Sequence, residues 1–149
     1  MQLSTTSRIC VLIILGLFTM LRMHAEDLAF KIDNCKTRVS IASVNLSVSE
    51  LTEVDGSLVG DYEIIVPLQK SKNETGRIVL PLSASVSELR VHGGTLQGHA
   101  YSSKQDKPPN TIVCEIIPAQ NQAIRLAITT SKRTLRFQSH YTIIGDQDS

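Results

Sequence analysis

Apolar residues return at every second position along most of this chain, and that period restricts the folds open to it. Val44, Leu46 and Val48 alternate with Asn45, Ser47 and Ser49, and Tyr62, Ile64 and Val66 follow the same beat. Further runs cover residues 28–32, 78–82, 86–91, 112–117, 123–128 and 135–143. In the last of these Leu135, Phe137, Tyr141 and Ile143 share one face, while Arg136, Gln138, His140 and Thr142 share the other. A two-residue period puts one set of side chains on a buried face and the other in water, the pattern of half-buried antiparallel strands. Beyond residue 25 no long window carries the 3.6-residue period of a helix. The spacing predicts an all-β domain.

Turn chemistry divides the runs. Asp55-Gly56 favours a two-residue hairpin with positive φ at both central positions. A simple register about that turn sets Leu46 opposite Ile65 and sends the two apolar sets to opposite faces. One extra residue is therefore needed, and Gly60 is the expected bulge. His92-Gly93-Gly94-Thr95 reads as a second turn, residues 69–76 as a polar loop, and residues 102–110 as the longest loop, stiffened by Pro108 and Pro109. About eight short strands spaced in this way predict an antiparallel two-sheet sandwich, immunoglobulin-like or similar.

The first twenty-five residues read as an export signal. Arg8 precedes an apolar run from residue 9 to residue 21, and small Ala25 stands just before Glu26-Asp27. That run is about 13 residues, short of the ~20 a spanning helix needs. The expectation is a signal peptide over residues 1–25 and a single domain over 26–149, secreted or periplasmic. Met23 breaks the small-x-small cleavage pattern, and Arg22 would suit an uncleaved N-terminal anchor, the one membrane attachment expected. The formal net charge is +1 across 149 residues, and both Arg8 and Arg22 leave with the leader. A neutral domain carries no overall footprint for nucleic acid or anionic lipid. Only 4% of residues are aromatic and none is tryptophan, which disfavours a stacking platform for sugars or single strands.

Cys35 and Cys114 follow the leader. In an oxidising compartment such a pair reads as one disulfide, closing a loop of about 80 residues and worth up to about 4 kcal/mol. A cysteine pair on strands resembles immunoglobulin-type sandwiches in fold only, since the buried tryptophan is missing and the spacing is long. Two buried free thiols are the alternative. Neither cysteine has a metal-ligand spacing, and His92, His99 and His140 are not spaced for zinc. The acidic set Glu50, Glu53, Asp55, Asp61 and Glu63 surrounds the Asp-Gly hairpin and reads as a solvated edge rather than a calcium loop. Asn45-Leu46-Ser47 and Asn73-Glu74-Thr75 match the N-glycosylation acceptor.

No nucleophile elbow, zinc-protease helix or phosphate-cradling glycine loop occurs, so the chain reads as a non-enzyme without cofactors. The expected function is an exported binding or structural module that engages another protein through a sheet face, an edge or loops. Its candidate surface is Arg136 and His140 on the outward row, with Lys104 and Lys107 in the long loop. The alternative is a carrier holding an apolar small molecule inside the domain. A hydrolase with a dispersed site is a third, minor reading.

Overall fold

The computed structural model describes residues 28–145, so the expected leader lies outside the described residues. Ten strands carry the alternation into space: β1 (Ala29–Ile32), β2 (Cys35–Val39), β3 (Ala42–Val48), β4 (Leu51–Val54) and β5 (Ser57–Ile65). They continue with β6 (Glu74–Pro81), β7 (Gly94–Ser102), β8 (Asn110–Ile117), β9 (Ala123–Thr129) and β10 (Thr134–Ile144). β1 and β2 follow one another along a single bent path, as do β3 and β4. Each path pairs antiparallel with the next, and β10 returns to β1 with Phe30 opposite Ile143 and Ile32 opposite Tyr141. The circuit is a closed, eight-stranded antiparallel barrel.

That closure corrects the expected two-sheet sandwich. Alternation states which face of each strand is buried, and sandwiches and barrels both bury one face. The deciding contact is β1 with β10, which joins the first and last described strands and removes both free edges. Three devices bend the strands enough to close it. The first is the bulge the hairpin register demands. Asp55 and Gly56 take φ values of 49° and 74°, as the turn requires. The register then slips by one residue between Thr52↔Val59 and Val48↔Tyr62. The extra residue sits at Ser49–Glu50, not at Gly60 on the partner strand. There the Asp61 amide donates to Ser49 Oγ at 2.7 Å, and the Ser49 amide donates to the Asp61 carbonyl at 2.8 Å. Gly60 gives the bulge room, since a Cβ would crowd Leu51 and the Glu50 carbonyl.

The second device is the Asp33–Asn34 step between β1 and β2, held where Ser139 Oγ donates to the Asp33 carbonyl at 2.6 Å. The third is a pair of inward-facing glycines. A Cβ at Gly98 would overlap the carbonyl oxygen of Val79, and one at Gly76 would overlap that of Tyr101. Neighbouring backbones approach there more closely than any side chain permits, as at the sharp corners of small barrels.

Residues 86–91 are not a strand. Val86–His92 form the helix α1, which crosses the barrel end between β6 and β7. Ser85 caps it: its Oγ accepts from the Glu88 amide at 3.2 Å, and Glu88 returns a carboxylate to the Ser85 amide at 3.0 Å. This reciprocal box satisfies two otherwise orphaned donors, and Val86 and Leu89 turn into the core. The apolar positions 86 and 89 have helical spacing, which a search for alternation passes over.

Inward rows fill the barrel. Leu58, Ile78, Leu80, Ala100, Ile112, Cys114, Ile124 and Ile128 are all fully buried, and Phe30 packs edge-on against Tyr141 with ring centroids 5.4 Å apart. The outward rows carry Lys36, Arg38, Asp61, Glu63, Arg77, His99, Arg125 and Arg136. This polar outside and apolar inside is the inverse of a lipid-spanning barrel.

The expected disulfide is absent: Cys35 and Cys114 are free and buried. Cys35 lies on β2 and Cys114 on β8, with β10 and β9 between them around the wall. A bridge needs Cα atoms within about 7 Å, and three ladder steps of about 4.8 Å each separate these strands. Burial pushes the Cys35 thiol up to about 11. Burial, with the nearby Glu115 charge, pushes Cys114 up to about 12. Both behave as small core hydrophobes.

Candidate functional site

Strand direction sorts the loops into two groups. One barrel end carries the β2–β3, β5–β6, β7–β8 and β9–β10 connections, and the other carries the β4–β5 turn, α1 and the β8–β9 turn. At the first end, hereafter the loop end, Glu74 opens β6 on the inward parity and is nearly buried. The Tyr62 hydroxyl donates to its Oε1 at 2.7 Å, and Lys107 Nζ donates to its Oε2. Burial would raise the Glu74 carboxyl, but hydrogen bonds from Lys107 and Tyr62, with the charges of Lys107 and Lys104, hold it below the ordinary carboxylate value. Burial pushes the Tyr62 phenol up, and its bond to Glu74 adds to this. Lys104 Nζ donates to the Ser71 carbonyl at 3.3 Å, and Asn73 Oδ1 accepts from the Val66 amide at 2.9 Å. The β5–β6 and β7–β8 loops are thus tied together over one charged knot.

Beside the knot, on the outside of β3, β5, β6 and β7, lies an open depression of about 880 Å³. Outward side chains of four neighbouring strands line it: Ser47, Asp61, Glu63, Thr75, Arg77 and Tyr101. Arg77 Nε meets Asp61 Oδ1 at 3.3 Å with both groups mostly in water, so the pair contributes little to stability. Tyr101 is half exposed and tilts against His99 with ring centroids 6.0 Å apart. Gly76 lines the same depression, which therefore coincides with the sharp β6–β7 corner.

The residues singled out from sequence do not form one surface. Lys104 and Lys107 turn toward Ser71 and Glu74, on the β6 side of the barrel. Arg136 and His140 stand exposed on β10, separated from β7 by β8 and β9. Asn45 faces outward on β3, opposite Lys36 and Ile65, and Asn73 anchors the β5–β6 loop through its carbonyl. Of the acidic set, Asp61 and Glu63 reach the depression, whereas Glu53 and Asp55 stay at the hairpin on the far end. Among the described residues, no three His, Cys, Asp or Glu side chains converge as a metal site.

Reading by motif missed Tyr62, Glu74 and Tyr101. A signal for Glu74 exists: it shares the period of Ile78 and Leu80, a carboxylate on the apolar parity of its own strand. Buried carboxylates need partners, so Glu74 called for a cation. Comparison with protein-family models, curated proteins and solved structures found no match to this chain.

Proposed function

We propose that this protein is an exported, non-catalytic binding module that engages another protein through the depression outside β3, β5, β6 and β7. One observation carries the reading: an exposed tyrosine, an unburied arginine–carboxylate pair and several hydroxyls converge there from four paired strands. Tyrosine and arginine dominate the energetics of protein interfaces. Groups held on strands lose little freedom when a partner arrives. The carrier reading has less support, because an apolar cargo would have to displace inward side chains that are already fully buried. The original candidates Arg136 and His140 provide an internal control on the far wall.

Crosslinked capture from the extracytoplasmic fraction of the source cell tests this with two double variants. Tyr101→Ala with Arg77→Glu is expected to weaken capture of a protein partner at least about 30-fold, the effect of a hot-spot loss. Arg136→Ala with His140→Ala is expected to leave it unchanged, and both should keep the wild-type unfolding midpoint. Retained capture by the first variant with loss by the second would transfer the site to β10 and refute the reading.

A further inference from the structure

We propose that the loop end of the barrel docks reversibly on an anionic lipid bilayer. This goes beyond the protein-binding reading and uses a different surface, so either can fail alone. Ile41 and Leu68 are the most exposed large apolar side chains among the described residues, at 96% and 90%. Single exposed aliphatics are ordinary. These two occupy the corners of neighbouring turns at one end of the molecule. Ile41 forms the β2–β3 turn with Ser40, closed by the Val39↔Ala42 pair. Leu68 follows Pro67 in a turn closed by the Gln69 amide donating to the Val66 carbonyl at 2.9 Å. β3 and β5 are paired neighbours up to Asn45↔Ile65, and the two turns leave that pair at the same barrel end. Turn corners usually take Gly, Asn, Asp or Ser. Here hydrogen-bonded turns hold aliphatic groups away from the core.

Cations ring the tips. Arg38 flanks the first turn, Lys70 and Lys72 follow Leu68 in a short 3-10 helix (Lys70–Lys72), and Lys104 leans over that loop onto Ser71. Lys132 and Arg133 occupy the β9–β10 turn at the same end. With Lys107 this makes seven basic residues against three acidic ones, Glu63, Glu74 and Asp106, and Glu74 is already committed to Lys107. The near-neutral whole chain conceals this concentration. Two aliphatic tips within a ring of lysines match a headgroup layer: the tips enter the acyl boundary and the ammonium groups meet anionic lipid. A protein partner is a poorer fit, because a stable protein interface takes about 800 Å² per side and favours aromatic anchors. The polar outer rows restrict the contact to an end-on approach.

The chain has no tryptophan, so Leu68→Trp creates a single site-specific fluorophore in the full-length protein. Val54→Trp, at the half-exposed end of β4, places the same reporter at the opposite barrel end. Each variant is mixed with phosphatidylcholine vesicles with and without phosphatidylserine, carrying brominated chains as quencher. The expected result is a blue shift and quenching for Leu68→Trp with phosphatidylserine vesicles only, abolished at high salt, and no change for Val54→Trp. Adding Lys70→Gln and Lys72→Gln should weaken the vesicle affinity roughly 25-fold, about fivefold per lysine. Equal shifts at both positions, or quenching independent of phosphatidylserine and of the two lysines, would overturn the proposal. So would a Leu68→Trp shift with polyglutamate but not with vesicles, which would point to an acidic protein instead.

Discussion

At the end where β6 hands over to β7 the barrel is stopped by a helix, with Leu89 and Val86 of α1 buried in the core. At the loop end a buried carboxylate does the corresponding work, with Glu74 accepting from Tyr62 and Lys107. The helical end also carries the exposed carboxylates of Glu53, Asp55 and Glu88, whereas the loop end concentrates lysine and arginine. One end is closed by apolar area, which is insensitive to pH and salt. The other is closed by ionised groups, which respond to both. Apolar packing closes the helical end, and the adjustable chemistry lies where the loops meet solvent.

The comparison breaks first at Leu89. Leu89→Ala removes a fully buried side chain and is expected to cost about 2–5 kcal/mol. Urea unfolding followed by circular dichroism should show a lower midpoint with an unchanged slope. If this variant loses less stability than a change at Glu74, the helical plug is not the main stabiliser of the two.

Much of this architecture was legible beforehand, and the misses share a cause. The Asp55-Gly56 turn, the 102–110 loop and the need for a bulge follow from local rules of parity and φ, and the structure has all three. Closure of the barrel does not follow from them, because the β1–β10 pairing is a contact between strands more than a hundred residues apart, such as Phe30 with Ile143. The inward glycines Gly76 and Gly98 did encode the corners, but a glycine in a strand reads equally as an ending. α1 was signalled by Ser85-x-x-Glu88, a pattern visible only once helix is entertained. The disulfide expectation failed because compartment says whether thiols oxidise, and only topology says whether they meet. Of the candidate surface, Lys104 and Lys107 lie at the loop end, while their separation from Arg136 depends on strand order.

The comparison is sharpened at Glu74. Glu74→Gln keeps an acceptor for Tyr62 but removes the charge facing Lys107, for an expected cost of about 1–2 kcal/mol near neutral pH. The sign with pH is definite. The folded carboxyl sits below its unfolded value, so its contribution is complete above that unfolded value, about 4.3, and is lost as pH falls through the lower folded one. The wild-type and Glu74→Gln unfolding midpoints should therefore converge on acidification. A gap that persists unchanged to the lowest pH would mean that the carboxylate's charge contributes nothing, and the two ends would then differ less than described.

The smallest expected effect is at Ser85, and it separates the helix cap from the helix plug. Ser85→Ala removes the acceptor for the Glu88 amide but leaves the Glu88 carboxylate free to hold the residue-85 amide. Loss of half the box is expected to cost about 1 kcal/mol. Leu89 lies one turn further on and stays anchored by burial, so the first turn of α1 should fray without releasing the plug. Amide hydrogen exchange reads this directly. The Leu89 amide, which donates to the Ser85 carbonyl at 3.0 Å, should exchange faster in the variant. The Val66 amide, which donates to Asn73 at the loop end, should not. Faster exchange at both would mean that the ends open together, and the barrel would be one cooperative unit rather than two separately closed mouths.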